Sequence, residues 1–476
     1  MAIIFDWEIL LRLLYWLNII IALWIMVKVI LGNRNPIATF AWAFVLLFIP
    51  FLGLLLYFFF GHDTRRRRYI HNRFSSQLQQ RAQIACRSYT PLGAPPSYKG
   101  LVTYLENSCD ASLATADVEL LPSAALFMER LFEAISEAKE HIHLQFYIFE
   151  SDEWGTRLRD ALIEKAREGV EVRIIYDSVG CWHVSPRFFD AVRCAGGYVE
   201  PFLKVHFPFL SKGTNYRNHR KIVVIDGKLG FVGGCNIADR YVRGINGGVW
   251  RDTMMAVRGY GVYGLQSSFL LDWYFVNGSM VSGRRYFPEP RTVGSAQLQI
   301  AMSNPVGQWR IVSSSLVMAL SSARSYIYIH TPYLMPNEQV MSAMESAALS
   351  GVDVCLMIPE RSDSRLADYA SRSYLERLLK AGVKVYLYVG GMMHAKGCVS
   401  DDMLSVIGSA NVDFRSFDYN FEVCAYVYDE AFAKVVRRQF LDDVGNCKLL
   451  TLREFLRRPL GSRVRESLAR LFSPIL

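Results

Sequence analysis

The pattern His-x-Lys-x4-Asp-x6-Gly-(Gly/Ser)-x-Asn occurs twice in this 476-residue chain. The first copy is His219, Lys221, Asp226, Gly233, Gly234 and Asn236; the second is His394, Lys396, Asp401, Gly408, Ser409 and Asn411. Six defined positions should coincide by chance in roughly one chain in 10^5 of this length, so two copies are signal. Two histidines and two lysines at matched spacing suit one phosphate-handling site. One imidazole can attack phosphorus while the other protonates the leaving group. The other seven histidines, His62, His71, His141, His143, His183, His206 and His330, lack such a repeated neighbourhood and read as structural.

The elements around each motif explain its spacing. Lys221 to Ile225 reads Lys-Ile-Val-Val-Ile, a β-branched run that suits a buried strand. Residues two apart on a strand share a face, so His219 and Lys221 point together. Asp226-Gly227 lies between this run and the apolar Leu229–Val232, which signals a hairpin turn. Asp226 therefore reads as the positioning member of its catalytic motif rather than as the base, and Asp401, before Asp402, repeats it. Gly233-Gly234 and Gly408-Ser409 allow close backbone approach. Asn236 and Asn411 can donate amide hydrogen bonds to phosphate oxygens. Cys235 and Cys398 fall at variable motif positions and read as small core fillers.

The duplication extends further. Ala134 to Leu144 resembles Ala319 to Ile329, each a helix end running into a strand, and Gly169 to Ile175 resembles Gly351 to Met357. Helices alternating with apolar strands predict two α/β halves, 116–300 and 301–476. They follow an apolar segment at 1–62 and a basic, turn-rich linker at 63–115 that contains Thr90-Pro-Leu-Gly-Ala-Pro-Pro-Ser.

Leu13–Leu31 and Ile37–Phe60 are each near the ~20 apolar residues a membrane span needs. Gly32 to Pro36 forms a tight turn between them, and Pro50 predicts a kink in the second. Arg65–Arg68 follow directly, so the positive-inside rule puts that flank in the cytoplasm. Two spans then leave the catalytic halves cytoplasmic. The arginine run reads equally as a stop signal or as an anionic-headgroup contact. The net charge of +9 favours anionic partners, lipid or nucleic acid. Nine unpatterned cysteines argue for reduced thiols, and no metal-ligand spacing is visible. Near the C-terminus, Leu456, Leu460, Val464, Leu468 and Leu471 alternate with Arg457, Arg458, Arg463, Arg465 and Arg470. They form a basic amphipathic helix that either packs on the core or lies on a membrane.

The doubled motif resembles the phospholipase D superfamily. The stretch Asn35 to Gly61, the segment Asn215-Tyr-Arg-Asn-His-Arg-Lys221, Asn411 to Ser416 with Asn420-Phe-Glu422, and Ser473 to Leu476 are similar to bacterial cardiolipin synthases of that type. The resemblance implies two duplicated α/β sandwich halves behind a two-helix transmembrane hairpin in a bacterial inner membrane. It implies phosphatidyl transfer between two phosphatidylglycerol molecules, giving cardiolipin and glycerol, with anionic membrane lipids and not nucleic acid as partners. By analogy His219 forms the phosphatidyl-histidine and His394 acts as acid and then base, without metal or cofactor, although the sequence does not determine which histidine takes which role. A further carboxylate orients each histidine. The best matches are Asp252 and Glu422, 33 and 28 residues after the histidine of the same half. The same constellation with water as acceptor would be a hydrolase, and a non-catalytic lipid scaffold would have lost a motif residue.

Overall fold

Apolar residues on every face draw the N-terminal segment into helices. Helix α1, Trp7–Leu31, has 25 residues, about 37 Å of rise against a hydrocarbon core of about 30 Å. Of the described helices it alone is long and apolar enough to cross a membrane. The expected second span is two shorter helices, α2, Pro36–Phe48, and α3, Pro50–Phe60. Pro50 has no N–H to continue α2 and so starts a new helix. Gly53 permits the sharp bend, because a Cβ there would lie 2.8 Å from the Val45 carbonyl oxygen. Helix α1 packs against both α2 and α3. The computed structural model describes residues 7–31, 36–60, 93–204, 216–245, 247–290, 294–474 and 476. The turn at 32–35, Arg65–Arg68, the start of the linker, Asn215, His62, His71 and His206 lie outside the described residues. Among the described residues, those of 7–60 fall in one compact unit and those from 93 onward in the other.

The second unit is built on a sixteen-stranded sheet. Its chain contributes β1 (Ala114–Leu121), β2 (His141–Phe146), β3 (Glu171–Asp177), β4 (Tyr198–Phe202), β5 (Arg217–Asn218), β6 (Ile222–Ile225), β7 (Leu229–Gly233), β8 (Val249–Arg251), β9 (Met254–Gly259) and β10 (Ala296–Ser303). There follow β11 (Tyr326–His330), β12 (Leu334–Met335), β13 (Asp353–Pro359), β14 (Lys384–Tyr388), β15 (Gly391–Met393), β16 (Gly397–Ser400), β17 (Leu404–Gly408), β18 (Val412–Asp413), β19 (Asn420–Tyr428) and β20 (Cys447–Leu450). The order is β4-β3-β2-β6-β7-β9-β1, then β10-β19-β17-β16-β11-β13-β14-β20, with β5 pairing β19 off this path and β8–β15 and β12–β18 as separate two-stranded pairs, so apart from the extra edge strand β20 each half mirrors the other about the β1–β10 pair. That pair is antiparallel, with Ala114 opposite Leu298. The sequence repeats fall on matching elements: a helix ending near Glu137 enters β2, and one ending near Ser322 enters β11.

One layer of core is common to both halves. Ile222, Val224 and Met255 from the first pack with Val399, Ile407 and Val423 from the second. Each such side chain contributes about 1.5–3 kcal/mol when buried, so the halves cannot part without exposing this layer. The described part of the expected linker joins the core as well. Lys99–Cys109 is a helix whose Leu101, Val102 and Leu105 are buried with Tyr98 among second-half residues. The spacing of Tyr98, Leu101, Val102 and Leu105 is a helical apolar stripe. The described non-motif histidines have structural settings. His143 stacks on Phe269 at 4.4 Å, His330 pairs with Asp443 at 3.6 Å, and His183 is exposed. The eight described cysteines are free, and Cys235 and Cys398 are buried.

Candidate active site

Each histidine sits just after a short strand that crosses to the opposite half. Strand β5 pairs in parallel with β19, and the His219 N–H continues the ladder by donating to the Phe421 carbonyl at 2.9 Å. Strand β15 pairs in parallel with β8, and the His394 N–H donates to the Arg251 carbonyl at 2.7 Å. The next residues along the partner chain segments are Glu422, on β19, and Asp252, directly after β8. Backbone register therefore delivers each imidazole to the carboxylate of the other half. His219 Nδ1 lies 3.1 Å from both Glu422 oxygens, and His394 Nδ1 lies 2.5 Å from Asp252 Oδ2. Both expected carboxylates are found against the histidines, but the pairing is crossed rather than within each half.

Buried arginines hold these carboxylate segments. Arg220 donates to the Glu422 carbonyl at 3.1 Å and forms an ion pair with Asp272 at 2.6 Å. Arg251 donates to the Asp252 carbonyl at 2.6 Å and pairs with Asp443 at 2.8 Å. Asp272 and Asp443 lie on the helices Val262–Asn277 and Glu430–Val444.

The two carboxylates differ in their other donors. Glu422 also accepts from Ser409, from Ser416 at 2.9 Å and from Asn420 at 3.1 Å. At the position equivalent to Ser409, Gly234 has no side chain, and a Cβ there would meet Asp252 Oδ1 at 2.1 Å. Asp252 accepts from the Thr253 N–H at 2.8 Å. Gly233 and Gly408 are equally confined, since a Cβ would lie 2.3 Å from the Thr253 carbonyl oxygen and 2.5 Å from that of Val423.

The lysines are buried beside their histidines. Lys221 Nζ donates to the His219 carbonyl at 2.6 Å; Lys396 Nζ donates to the His394 carbonyl and approaches His394 Nδ1 at 2.9 Å. Burial pushes Lys221 down to about 7 and lowers Lys396 as well. Burial also lowers His219, although Glu422 opposes the shift. Burial, reinforced by Lys396, pushes His394 down to about 4. Burial alone would raise Glu422, but His219, Lys221 and Ser409 hold it at about 2. Against the same burial, Lys396 and His394 keep Asp252 below the usual carboxylate range.

His219 and His394 line one cavity of ≈ 300 Å³ with Asn236, Asn411, Tyr147 and Tyr241. Asn236 accepts from the Ile148 N–H at 3.0 Å and donates to Tyr241 at 2.6 Å. Asn411 donates to Asp413 at 2.9 Å. Both asparagines thus also brace the cavity wall. Asp226 and Asp401, grouped with the catalytic residues by their motif, have their carboxylates committed elsewhere. Asp226 accepts from the N–H groups of Lys139, Glu140 and His141 at 2.8–3.3 Å. Asp401 accepts from those of Arg324, Ser325 and Tyr326 at 2.7–2.9 Å. Both adopt the left-handed backbone of a tight turn, with φ of 53° and 50°. Sequence reasoning gave no separate role to Ser416, Asn420, Tyr147, Arg217 or Arg415. Three of these flank Glu422 in sequence, and that proximity was the available signal.

A mirrored α/β sheet with two His–Lys motifs brought to one cavity defines a phospholipase D-like fold. The chain matches a family model described as cardiolipin synthase, PLD-like domain, over residues 131–247 and 316–444. Residues 19–62 match a phospholipase D-nuclease N-terminal model. The chain is 38% identical to the major cardiolipin synthase of Bacillus subtilis, over 98% of this chain and 99% of that one. It is 39% identical to a cardiolipin synthase of Geobacillus kaustophilus, over 94% and 90%. The crystal structure of a Haemophilus influenzae phosphatidylserine synthase shares the fold, with a TM-score of 0.61 at 16% identity over 79% of this chain and 99% of that one. This chain belongs to the cardiolipin synthase family of phospholipase D-like proteins.

Proposed function

We propose that this protein is a cardiolipin synthase that transfers a phosphatidyl group from one phosphatidylglycerol to another. The observation that carries the reading is the convergence of His219 and His394 on one cavity, each backed by a carboxylate. A carboxylate at Nδ1 fixes the tautomer and stabilises the imidazolium, leaving Nε2 to react. One Nε2 attacks phosphorus, and the P–O bond to glycerol breaks as the other imidazole donates its proton. The second imidazole then takes the proton from the terminal hydroxyl of the incoming phosphatidylglycerol. That oxygen displaces the first imidazole, and cardiolipin forms. The two imidazoles are near-equivalent in the cavity, so the geometry allows either to be the nucleophile; by analogy the role goes to His219 and that of acid and base to His394. Lys221, Lys396, Asn236 and Asn411 stabilise the charge of the pentacovalent state, while Asp226 and Asp401 position the motif strands.

At pH 7 burial keeps both imidazoles neutral, which suits the nucleophile. The acid must gain its proton with the substrate, whose phosphate anion offsets the nearby lysine charge. Exchange of one phosphodiester for another is nearly thermoneutral, so exclusion of water decides between transfer and hydrolysis.

The helices α1 to α3 serve as a two-pass anchor in the bacterial cell membrane, with the halves 116–300 and 301–476 on the cytoplasmic side. The helix Leu460–Arg470 supports lipid-surface contact. Its Glu466 and Ala469 are buried, while Leu460, Val464 and Leu468 are exposed among arginines. Purified protein with phosphatidylglycerol labelled in its glycerol headgroup and its acyl chains tests the activity. Cardiolipin with free glycerol is expected. Phosphatidic acid as the sole product would make the protein a hydrolase, and no turnover would make it a scaffold.

A further inference from the structure

The catalytic pairs of the two halves are near-equivalent, yet the wall of their cavity is not. Arg217 and Arg415 both line it with the two histidines. Arg217 lies two residues before His219 on β5, and Arg415 lies four residues after Asn411 on the short helix Phe414–Asp418. The equivalent positions of the other half are different. Two residues before His394 is Met392, buried in the apolar core of the first half. Four residues after Asn236 is Arg240, which pairs with Glu150 at 3.6 Å. The duplication thus repeats the reacting groups but places a second cationic cluster on one side only.

We propose that Arg217 and Arg415 form a second phosphate subsite, which holds the phosphodiester of the acceptor lipid while its terminal hydroxyl attacks. The proposal rests on the phosphatidyl-transfer reading above and names what selects the acceptor. Cardiolipin carries two phosphates joined through one glycerol. When the first is bonded to a histidine, the second belongs to the incoming lipid and lies a three-carbon bridge from the attacking oxygen. A site for this step needs one phosphate position at the shared centre and another to one side. Guanidinium groups suit that role, since their planar forks match phosphate oxygens.

Acidic groups share this wall and are held by their own hydrogen bonds. Asp413 accepts from the Ser416 N–H at 2.7 Å and from Asn411, and Asp363 accepts from Tyr333 at 2.5 Å. Asp177, fully buried, lies 3.6 Å from Arg217 and also accepts from the N–H groups of Val179, Gly180 and Asn218 at 2.9–3.0 Å. The first arginine is thereby fixed in place, while Arg415 is half-buried. Water and free glycerol carry no phosphate and gain nothing from the pair, so the arginines favour an anionic lipid alcohol over both. In the step itself the acceptor oxygen forms the new P–O bond, the P–N bond to the nucleophilic imidazole breaks, and the hydroxyl proton passes to the other imidazole.

Two reactions sharing one donor separate acceptor binding from the chemistry. Full-length protein in detergent is given phosphatidylglycerol, and cardiolipin formation is measured beside exchange of labelled free glycerol into phosphatidylglycerol. Exchange uses the same covalent intermediate with an acceptor that lacks phosphate. For Arg415→Gln the ratio of cardiolipin formation to exchange should fall about ten- to hundredfold, the value of a charge-assisted hydrogen bond. Arg415→Lys, which keeps the charge and loses the fork, should give a smaller fall. An unchanged ratio in both variants overturns the subsite, whatever the absolute rates. A wild-type protein that performs neither reaction overturns the transfer reading on which it rests.

Discussion

Gly234 marks how tightly the individual residues of the site are packed. A methyl group there would occupy the space of the Asp252 carboxylate, 2.1 Å from its oxygen. Gly234→Ala should therefore push Asp252 away from His394 and lower cardiolipin formation by about 10²-fold or more, with circular dichroism unchanged. The reverse asymmetry is legible at Ser409, whose hydroxyl donates to Glu422. From sequence the Gly/Ser alternation reads only as a small-residue position, because the identity of its neighbour depends on a contact across the halves. The crossed His–carboxylate pairing was hidden for the same reason. Distance along the chain favours Asp252 for His219, but the parallel β5–β19 and β15–β8 pairs decide otherwise.

At the scale of elements, the motif aspartates act as clips between hairpin and sheet. Asp226 ties the β6–β7 turn to the backbone that enters β2, and Asp401 does the same for β16–β17 and β11. Removal of either leaves N–H donors without their carboxylate acceptor, at about 1–3 kcal/mol. Asp401→Ala should lower the thermal midpoint by several degrees, while the folded fraction keeps kcat within about threefold. A hundredfold loss of kcat at unchanged midpoint would instead make Asp401 a catalytic group. Hairpins, repeats and buried strands were legible in the sequence, since β-branched runs and Asp-Gly turns are local signals. The helix Lys99–Cys109 was not, although Tyr98, Leu101, Val102 and Leu105 carry its stripe, because the preceding Pro/Gly-rich stretch reads as linker. Pro50 was foreseen as a kink and produces a helix boundary.

Across the whole molecule, burial of imidazoles in the core and at the site links stability to pH. His141 and His394 are pushed from 6.5 down to about 2 and about 4, His141 mainly by burial and His394 by burial and Lys396. The unfolded chain binds these protons more readily than the folded one below pH 6.5. Their stabilisation is complete above that value and is lost progressively as pH falls from 6.5 toward 4, with His141 continuing toward 2. Glu422, held at about 2, adds its own loss below about pH 4.5. The thermal midpoint should thus drop steadily on acidification from pH 7 to 4, and a midpoint flat across that range would contradict the assigned burial. The duplicated architecture was visible in the two motifs and the flanking repeats. Its mirrored strand order and common core were not, because pairing between distant strands leaves no trace in local periodicity.

The central claim is that His219 and His394 of one chain share a single site and that each is indispensable. It is tested most directly by cardiolipin formation from phosphatidylglycerol by His219→Ala and His394→Ala proteins, assayed separately and mixed in equal amounts. Each variant should retain less than about 10⁻³ of wild-type turnover, and mixing should restore none. Near-normal turnover by either variant, or recovery on mixing, would contradict it.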